Sequence, residues 1–413
     1  MMHDIAVIGG GLTGLMTATA LSHACDRVML VDRGSGGVAA GDERTTTINA
    51  AGARMLTALG VWDRLDAAPA PIRRLAVAEG APPSGLAARR RPAFELSWES
   101  ADTPMGYVVG NAALHAALGA AAKDRHVDML QEYALSSRQH LGDTTEMELL
   151  RHDGSTEQRR AALIVACDGA RSRLAETAGL AAREERRTQT AIVTVLEAQT
   201  HHHDTAYQRF LPDGPFALMP MDGHRLSLVW TLSDAGAERL LAADTAHFEQ
   251  ACLDAFGNSL GYLKLVGTRL GWPLRPSWRP KITVPGLVLA GDAAHAIHPL
   301  AGQGYNLALA DAAVLADLVA GALARGLPAS HPSVRHGYET ARRRERMAMT
   351  VATSGLNRLF ADMPRGLRRL AGLGFSVLDR LPAKSLLSDV ARGGRLADAE
   401  LLNGRLPRRG GVV

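Results

Sequence analysis

Residues 4–14 read Asp4-Ile5-Ala6-Val7-Ile8-Gly9-Gly10-Gly11-Leu12-Thr13-Gly14. The apolar run 4–8 is a short buried strand, and it breaks at once into glycines. A helical pattern follows over 12–24, then a second strand over 27–32 (RVMLVD). This is a β-α-β unit with GxGxxG on Gly9, Gly11 and Gly14 between its first strand and its helix. Glycines there let the backbone approach a pyrophosphate, which rests where free N–H groups and the helix dipole favour an anion. Asp32 ends the second strand, where a carboxylate can accept hydrogen bonds from ribose hydroxyls. Arg33, directly after it, is assigned to the same site. The motif alone does not specify which dinucleotide binds.

A second string begins Gly291-Asp292-Ala293-Ala294-His295 and continues through His298-Pro299-Leu300-Ala301-Gly302-Gln303-Gly304-Tyr305-Asn306. A strand over 287–291 ends in Gly-Asp, and a Pro/Gly loop then opens a long helix over about 304–325. Asp292 at the strand end can hold the hydroxyls of a ribityl chain. Loop N–H groups at the helix start can face the electron-rich N1/C2-oxygen edge of an isoalloxazine and stabilise its reduced anion. A third string, Val165-Ala166-Cys167-Asp168-Gly169-Ala170-Arg171-Ser172, follows a strand over 162–167.

On these strings the chain resembles the ubiquinone-biosynthesis FAD-dependent hydroxylases, flavoprotein aromatic monooxygenases related to para-hydroxybenzoate hydroxylase. The resemblance covers nearly the whole chain. The pattern His-Pro-x-Ala/Gly-Gly-Gln-Gly-x-Asn-x-Gly-x-x-Asp is met by His298 through Asp311, with Ala308 in place of a glycine. The Asp-Gly motif is met by Asp168 and Gly169. An arginine that many relatives carry three residues after the serine is Ala175 here. Asp42-Glu43-Arg44-Thr45-Thr46-Thr47 and Ala206-Tyr207-Gln208-Arg209-Phe210 with Gly214-Pro215 also resemble that branch.

The resemblance implies an α/β fold of para-hydroxybenzoate-hydroxylase type. Its FAD-binding Rossmann-like domain is built from 1–70, 100–178 and 270–340. Residues 71–99 and 179–269 form an inserted mixed or antiparallel β-sheet substrate domain, and 341–413 a C-terminal helical region. It implies FAD contacts from Gly9, Gly11, Gly14, Asp32, Arg33, Arg44, Asn111, Asp168, Gly169, Gly291, Asp292, Pro299, Gly302, Gln303, Gly304 and Asn306. Asn111 opens a helix after a strand and reads equally as a cap. In catalysis the backbone of Gly302, Gln303 and Gly304 stabilises the flavin, and His298 is either a site residue or a structural one. The implied activity is NAD(P)H- and O2-dependent hydroxylation of a polyprenyl phenol through a C4a-hydroperoxyflavin. With no second GxGxxG, NAD(P)H docks transiently in a groove.

Composition is that of an ordinary globular chain: 413 residues, 46% hydrophobic and 21% charged. No uninterrupted apolar run reaches the roughly 18 residues a membrane span needs. The N-terminus lacks the basic region of a signal peptide, so a cytoplasmic location is expected. Cys25, Cys167 and Cys252 have no CxxC spacing and read as small buried hydrophobes. The net charge of +4 is uneven: residues 364–413 carry ten basic and four acidic side chains. Little there supports nucleic-acid binding. Residues 364–381 place apolar side chains at helical spacing with arginines largely outside the stripe. That suggests either packing on the FAD domain or peripheral contact with an anionic inner membrane or a biosynthetic complex. The basic run Arg89–Arg91 reads as solvated.

No metal is expected. His201-His202-His203 point in different directions along an extended chain and read as a solvated loop. Trp272-Pro273-Leu274-Arg275 does not fit a halogenase signature. A hydroxylase of a soluble aromatic metabolite and a non-catalytic flavoprotein scaffold stay open as alternatives.

Overall fold

The structure is a computed structural model describing residues 2–37, 42–80, 95–99, 103–184, 188–298, 303–362 and 398–408. Strands and helices are numbered in chain order. Strand β1 (Met2–Ile8) is central in a sheet ordered β20 (Thr283–Val284), β21 (Leu287–Leu289), β11 (Thr156–Ala166), β1, β2 (Val28–Asp32), β8 (Asp128–Gln131). From β21 to β8 the neighbours are parallel, with Val7 opposite Val165 on one side and Leu30 on the other. Parallel strands are covered on both faces, which is why 5–8 of β1 and 161–166 of β11 read as continuous apolar runs. Strands β9 (Tyr133–Leu141) and β10 (Thr144–Arg151) extend the sheet from β11 as an antiparallel pair. The chain leaves β1 for β2 and later returns on its other side at β11. That reversal opens a crevice at the carboxyl ends of β1 and β11, the switch point where such sheets bind ligands.

Helix α1 (Leu12–Ser22) is buried from Gly14 to Ser22. Two of its polar members bond within it: Thr19 Oγ1 donates to the Leu15 carbonyl at 2.8 Å and Ser22 Oγ to that of Thr19 at 2.7 Å. Around it pack α3 (Asn111–Asp124) and α7 (Gln303–Ala324), and α8 (Pro332–Asp362) lies on α7. By length and composition Gly304–Ala324 could cross a membrane, although the sequence shows no uninterrupted apolar run of that length. It holds Asp311 and Asp317, and most of it is buried inside this protein as a core helix. The helical pattern over 48–65 is shorter in the structure. Strand β3 (Thr45–Asn49) runs first, Asn49 caps the next helix by accepting from Gly52 N at 2.8 Å, and α2 (Ala50–Ala58) follows. Leu401 and Leu402 join the same core. The tail from 363 to 397 and the run Arg89–Arg91 lie outside the described residues.

A second eight-stranded sheet is ordered β17 (Leu263–Leu265), β13 (Gln189–Ala198), β16 (Arg225–Ser233), β15 (Gly214–Pro220), β14 (Thr205–Leu211), β5 (Arg74–Glu79), β6 (Glu95–Glu99). Strand β18 (Leu270–Leu274) also pairs with β13, and β14 runs parallel to β5 within an otherwise antiparallel sheet. Its outer face, with Phe216, Leu228 and Trp230, is covered by α5 (Asp234–Ala242) and α6 (Thr245–Phe256). Part of its inner face, Ala206, Ala217 and Met219, packs on Ile72, Met105 and Val108. Those residues come from or adjoin a three-stranded sheet of β3, β7 (Gly106–Gly110) and β4 (Ala70–Ile72). A small sheet of β12 (Arg183–Glu184), β19 (Ser277–Trp278) and β22 (His295–Ala296) completes the fold, with the short helix α4 (Arg173–Thr177).

The histidine run corrects the sequence reading. His201 and His203 are exposed, but His202 is buried, with Nε2 2.9 Å from the Met221 carbonyl. The run is a turn, with φ +50° at His203, and its rings cluster instead of diverging: His201 lies 4.5 Å from His202 and 5.1 Å from His203 between centroids, with the middle ring turned inward. Among the described residues no group of His, Cys, Asp or Glu could hold a metal ion.

Candidate active site

Three strings far apart in sequence meet at the carboxyl ends of neighbouring strands. Gly9 follows β1, Asp168 follows β11, and Asp292 follows β21. Gly9 has φ +113°, and a Cβ there would lie 2.5 Å from the Cys167 carbonyl oxygen. At Gly14 a Cβ would overlap the Gly9 carbonyl oxygen. Both positions demand glycine so that turn, helix and β11 can approach each other. Gly11 caps α1 with no side-chain hydrogen bond, and a Cβ there would meet open space. That opening at an uncapped helix N-terminus fits a pyrophosphate. Asp32 lies beneath the same turn, close to Gly10, while Arg33 beyond it is exposed. His115 of α3 adds a contact that no motif announces, its Nε2 lying 3.0 Å from the Gly10 carbonyl.

Asp168 keeps one carboxylate oxygen 3.5 Å from Leu174 N and leaves buried Oδ1 without a partner. An orphaned acceptor at a strand end is the kind of group a bound ligand satisfies. Gly169 turns away with φ +86°. Ala175, where relatives carry arginine, is fully buried, its N–H donating to Ser172 Oγ at 3.0 Å. Asp292 stands on a cleft wall: its surface is open to solvent, yet enough protein surrounds it that burial pushes its carboxyl up, against the pull of His295. A ligand hydroxyl donating to that carboxylate contributes about 1.5–3 kcal/mol. Asp292→Ala is therefore expected to weaken FAD retention about tenfold or more, measured by equilibrium dialysis of a folded variant; unchanged affinity would refute the role.

The segment 42–49 ties the two sheets together. Arg44 makes a two-pronged pair with Asp42, both contacts 2.8 Å, and its guanidinium lies 5.0 Å over the Trp272 ring. The Arg44 hydrogen bonds hold the Asp42 carboxyl below its usual range despite burial. Glu43 accepts from Thr268 N at 3.1 Å, and Thr45 Oγ1 donates to Ser227 Oγ at 2.8 Å. Gly110, not Asn111, caps α3; Asn111 is its first residue and accepts from Thr46 Oγ1 at 2.7 Å. Asn306 of α7 accepts from Asn49 N at 2.8 Å and donates to the Thr47 carbonyl at 3.0 Å. It pins the start of α7 to β3. His298 is buried with Nε2 3.3 Å from Gln189 Oε1, at the seam with the second sheet. Gln303 and Gly304 open α7, and Pro299 and Gly302 lie outside the described residues.

Behind this rim is a buried ionic cluster whose α8 members the motifs do not disclose. Asp311 is fully buried. Its Oδ2 lies 2.7 Å from His295 Nε2 and accepts from Gly291 N at 2.9 Å, while Oδ1 accepts from Arg342 Nε at 2.7 Å. Burial opposes its charge, but His295 and Arg342 outweigh that and hold the carboxyl well below the usual carboxylate range. Arg342 also donates to Glu345 and to the Leu307 carbonyl. Burial pushes Glu345 up to about 7 against the pull of Arg342. Tyr338 Oη donates to the Leu289 carbonyl at 2.9 Å. Through Gly291 and His295 the cluster fixes the loop that carries Asp292.

The crevice, the glycine turn and the sheet set against them define an FAD-dependent monooxygenase of para-hydroxybenzoate-hydroxylase type. The profile of the FAD binding domain matches residues 2–352. Among solved structures, p-nitrophenol 4-monooxygenase from Pseudomonas putida superposes with a TM-score of 0.73 at 19% identity, covering 98% of this chain and 99% of that one. Among curated proteins, ubiquinone hydroxylase UbiL of Rhodospirillum rubrum is 35% identical over 94% of this chain and 89% of its own length. The Escherichia coli 3-demethoxyubiquinol 3-hydroxylase is 29% identical over 91% of this chain and 95% of its own. The chain thus belongs to the FAD-dependent ubiquinone-biosynthesis hydroxylase family.

Proposed function

We propose that this protein hydroxylates the aromatic ring of a polyprenyl phenol on the route to ubiquinone, with NAD(P)H and O2 as co-substrates. The observation that carries the substrate class is the 35% identity to a ubiquinone hydroxylase along nearly the whole chain. Bound FAD supplies the reduction by NAD(P)H and the activation of O2. In this reading the chain binds, orients and excludes water. Gly9, Gly11 and Gly14 receive the pyrophosphate, and Asp32, Arg33 and Arg44 the adenosine half. Asn111, Asp168 and Gly169 line the middle of the cofactor. Gly291, Asp292 and Pro299 hold the ribityl chain. Backbone N–H groups of Gly302, Gln303 and Gly304 stabilise negative charge on the ring, a preorganised dipole arrangement. Asn306 fixes the start of α7 on β3, and His298 meets Gln189 of the second sheet.

The reading takes 1–70, 100–178 and 270–340 as the FAD unit and 71–99 with 179–269 as the substrate unit. The basic residues of 364–413 favour contact with an anionic membrane, where a polyprenyl substrate resides. In this reading the protein works in the cytoplasm against the inner-membrane surface. NAD(P)H oxidation by the FAD-loaded protein is expected to be stimulated by ortho-farnesylphenol and not by short soluble phenols. Equal stimulation by soluble phenols would overturn the prenyl assignment.

A further inference from the structure

The inner face of the second sheet holds two buried polar side chains that the protein leaves unsatisfied. Gln208, on β14, is 4% exposed, and neither Oε1 nor Nε2 has a hydrogen-bond partner. Thr231, on β16, is 1% exposed, and its Oγ1 also lacks one. Buried polar groups are nearly always paired, and a buried amide left bare destabilises the protein that carries it. An unpaired group on the face that Thr45 and His298 join to the cofactor side is explained by a ligand that meets it.

Strand alternation fixes which way these side chains face. Tyr207 and Arg209, on either side of Gln208, both lie against the Phe256 ring of α6 on the outer face. Gln208 therefore points inward with Ala206. Thr231 shares that face, since Trp230 and Leu232 on either side of it belong to the helix-covered core. Trp230 Nε1 and Thr194 Oγ1 also lack partners, but they sit on the helix-covered face, away from the crevice. Across the sheet Gln208 stands opposite Val77 and Ala217, with Val229 beyond Ala217. These neighbouring positions on the sheet are apolar, and α8 packs against β14 and β15. Its rim is fastened to the cofactor side through Thr45–Ser227 and His298–Gln189.

We infer that Gln208 is the positioning residue for the substrate ring, with Thr231 as a second polar contact, and that together they select a neutral phenol over one bearing a carboxylate. The inference rests on the prenylphenol reading above and adds to it the group that recognises the ring. The Gln208 amide offers an acceptor to a phenolic O–H and a donor to a ring oxygen. It offers no charge to neutralise a carboxylate, and an unpaired carboxylate in an apolar surround is strongly disfavoured.

The test uses the FAD-loaded full chain, with ortho-farnesylphenol and its para-carboxylate analogue as probes. Binding is read from the flavin absorbance change, and coupling from hydroxylated product per NAD(P)H oxidised. The wild type is expected to bind the neutral phenol at least about tenfold more tightly than the carboxylate. Gln208→Leu is expected to bind the phenol about tenfold more weakly and to divert reducing equivalents from product to hydrogen peroxide. Its FAD content should stay unchanged and its melting temperature no lower, because a bare buried amide is removed. Thr231→Val should act in the same direction and less. A Gln208→Leu protein that binds and couples like wild type, or one that loses FAD, overturns the assignment alone. A wild type that binds neither probe overturns the prenylphenol reading and the assignment with it. Preference for the carboxylate overturns the claimed selectivity.

Discussion

Asp311→Ala is expected to destabilise the protein by about 3–5 kcal/mol, because it leaves a buried arginine without its partner. Arg342 is fully buried and Asp311 is its 2.7 Å contact on one side. Glu345 on the other side replaces it only in part, since burial opposes the charge of that carboxyl. The same substitution removes the acceptor of Gly291 N and the partner of His295. FAD retention should therefore fall along with the melting temperature. Asp311 also sets an acid limit. Its carboxyl is depressed in the fold, so its stabilisation is complete above the ordinary carboxylate value of about 4 and is lost as pH falls through the lower folded value. Denaturant melts of wild type and variant should converge as the pH is lowered through that window. A variant within about 1 kcal/mol of wild type at neutral pH would show that the cluster is not what holds the loop.

The second large effect belongs to Gly14. A methyl there would overlap the Gly9 carbonyl oxygen, which is backbone and cannot swing aside. Gly14→Ala must push the turn away from β1 or the start of α1 away from β11. Either movement misplaces the helix N-terminus that Gly11 leaves open. FAD affinity is expected to fall at least a hundredfold, about 2.7 kcal/mol, measured by reconstitution of the apoprotein. Gly11→Ala makes the control without cofactor, since its Cβ meets no protein atom. It should fold normally. If Gly14→Ala kept wild-type FAD affinity, the close-approach account of this turn would be wrong.

Much of the cofactor side was legible in the sequence because its chemistry lies in consecutive residues at strand ends. Gly9 to Gly14, Asp168 and Asp292 each sit where a strand stops, and parallel pairing of β1, β11 and β21 brings them together. What escaped reading depends on partners distant in sequence. Arg342 lies 31 residues from Asp311, and His115 lies 105 from Gly10. Nothing in an arginine-rich helical pattern says which arginine is buried. In Arg342-Arg343-Arg344 the first is buried and the next two are exposed. The bare amide of Gln208 was equally silent, because a hydrogen bond left unmade has no sequence signature. Residues 48–65 show another limit: helical periodicity ran through Ile48 and Asn49, although pairing with β7 holds both in a strand.

The buried cluster and the cross-sheet contacts divide the labour. Asp311, His295 and Arg342 hold the loop at Asp292 from behind. Thr45 and His298 hold the cofactor rim to the second sheet from the front, and Asn306 pins the start of α7 to β3. The chemistry assigned to FAD then needs only a ring placed over the apolar inner face and kept from water.

Turnover of ortho-farnesylphenol by the FAD-loaded protein under isotopically labelled dioxygen, with NAD(P)H as reductant, tests the central claim most directly. A ring-hydroxylated product carrying one labelled oxygen atom, formed only when NAD(P)H is present, is expected. Product oxygen drawn from water, or NAD(P)H oxidation that ignores the phenol and yields only hydrogen peroxide, would contradict it.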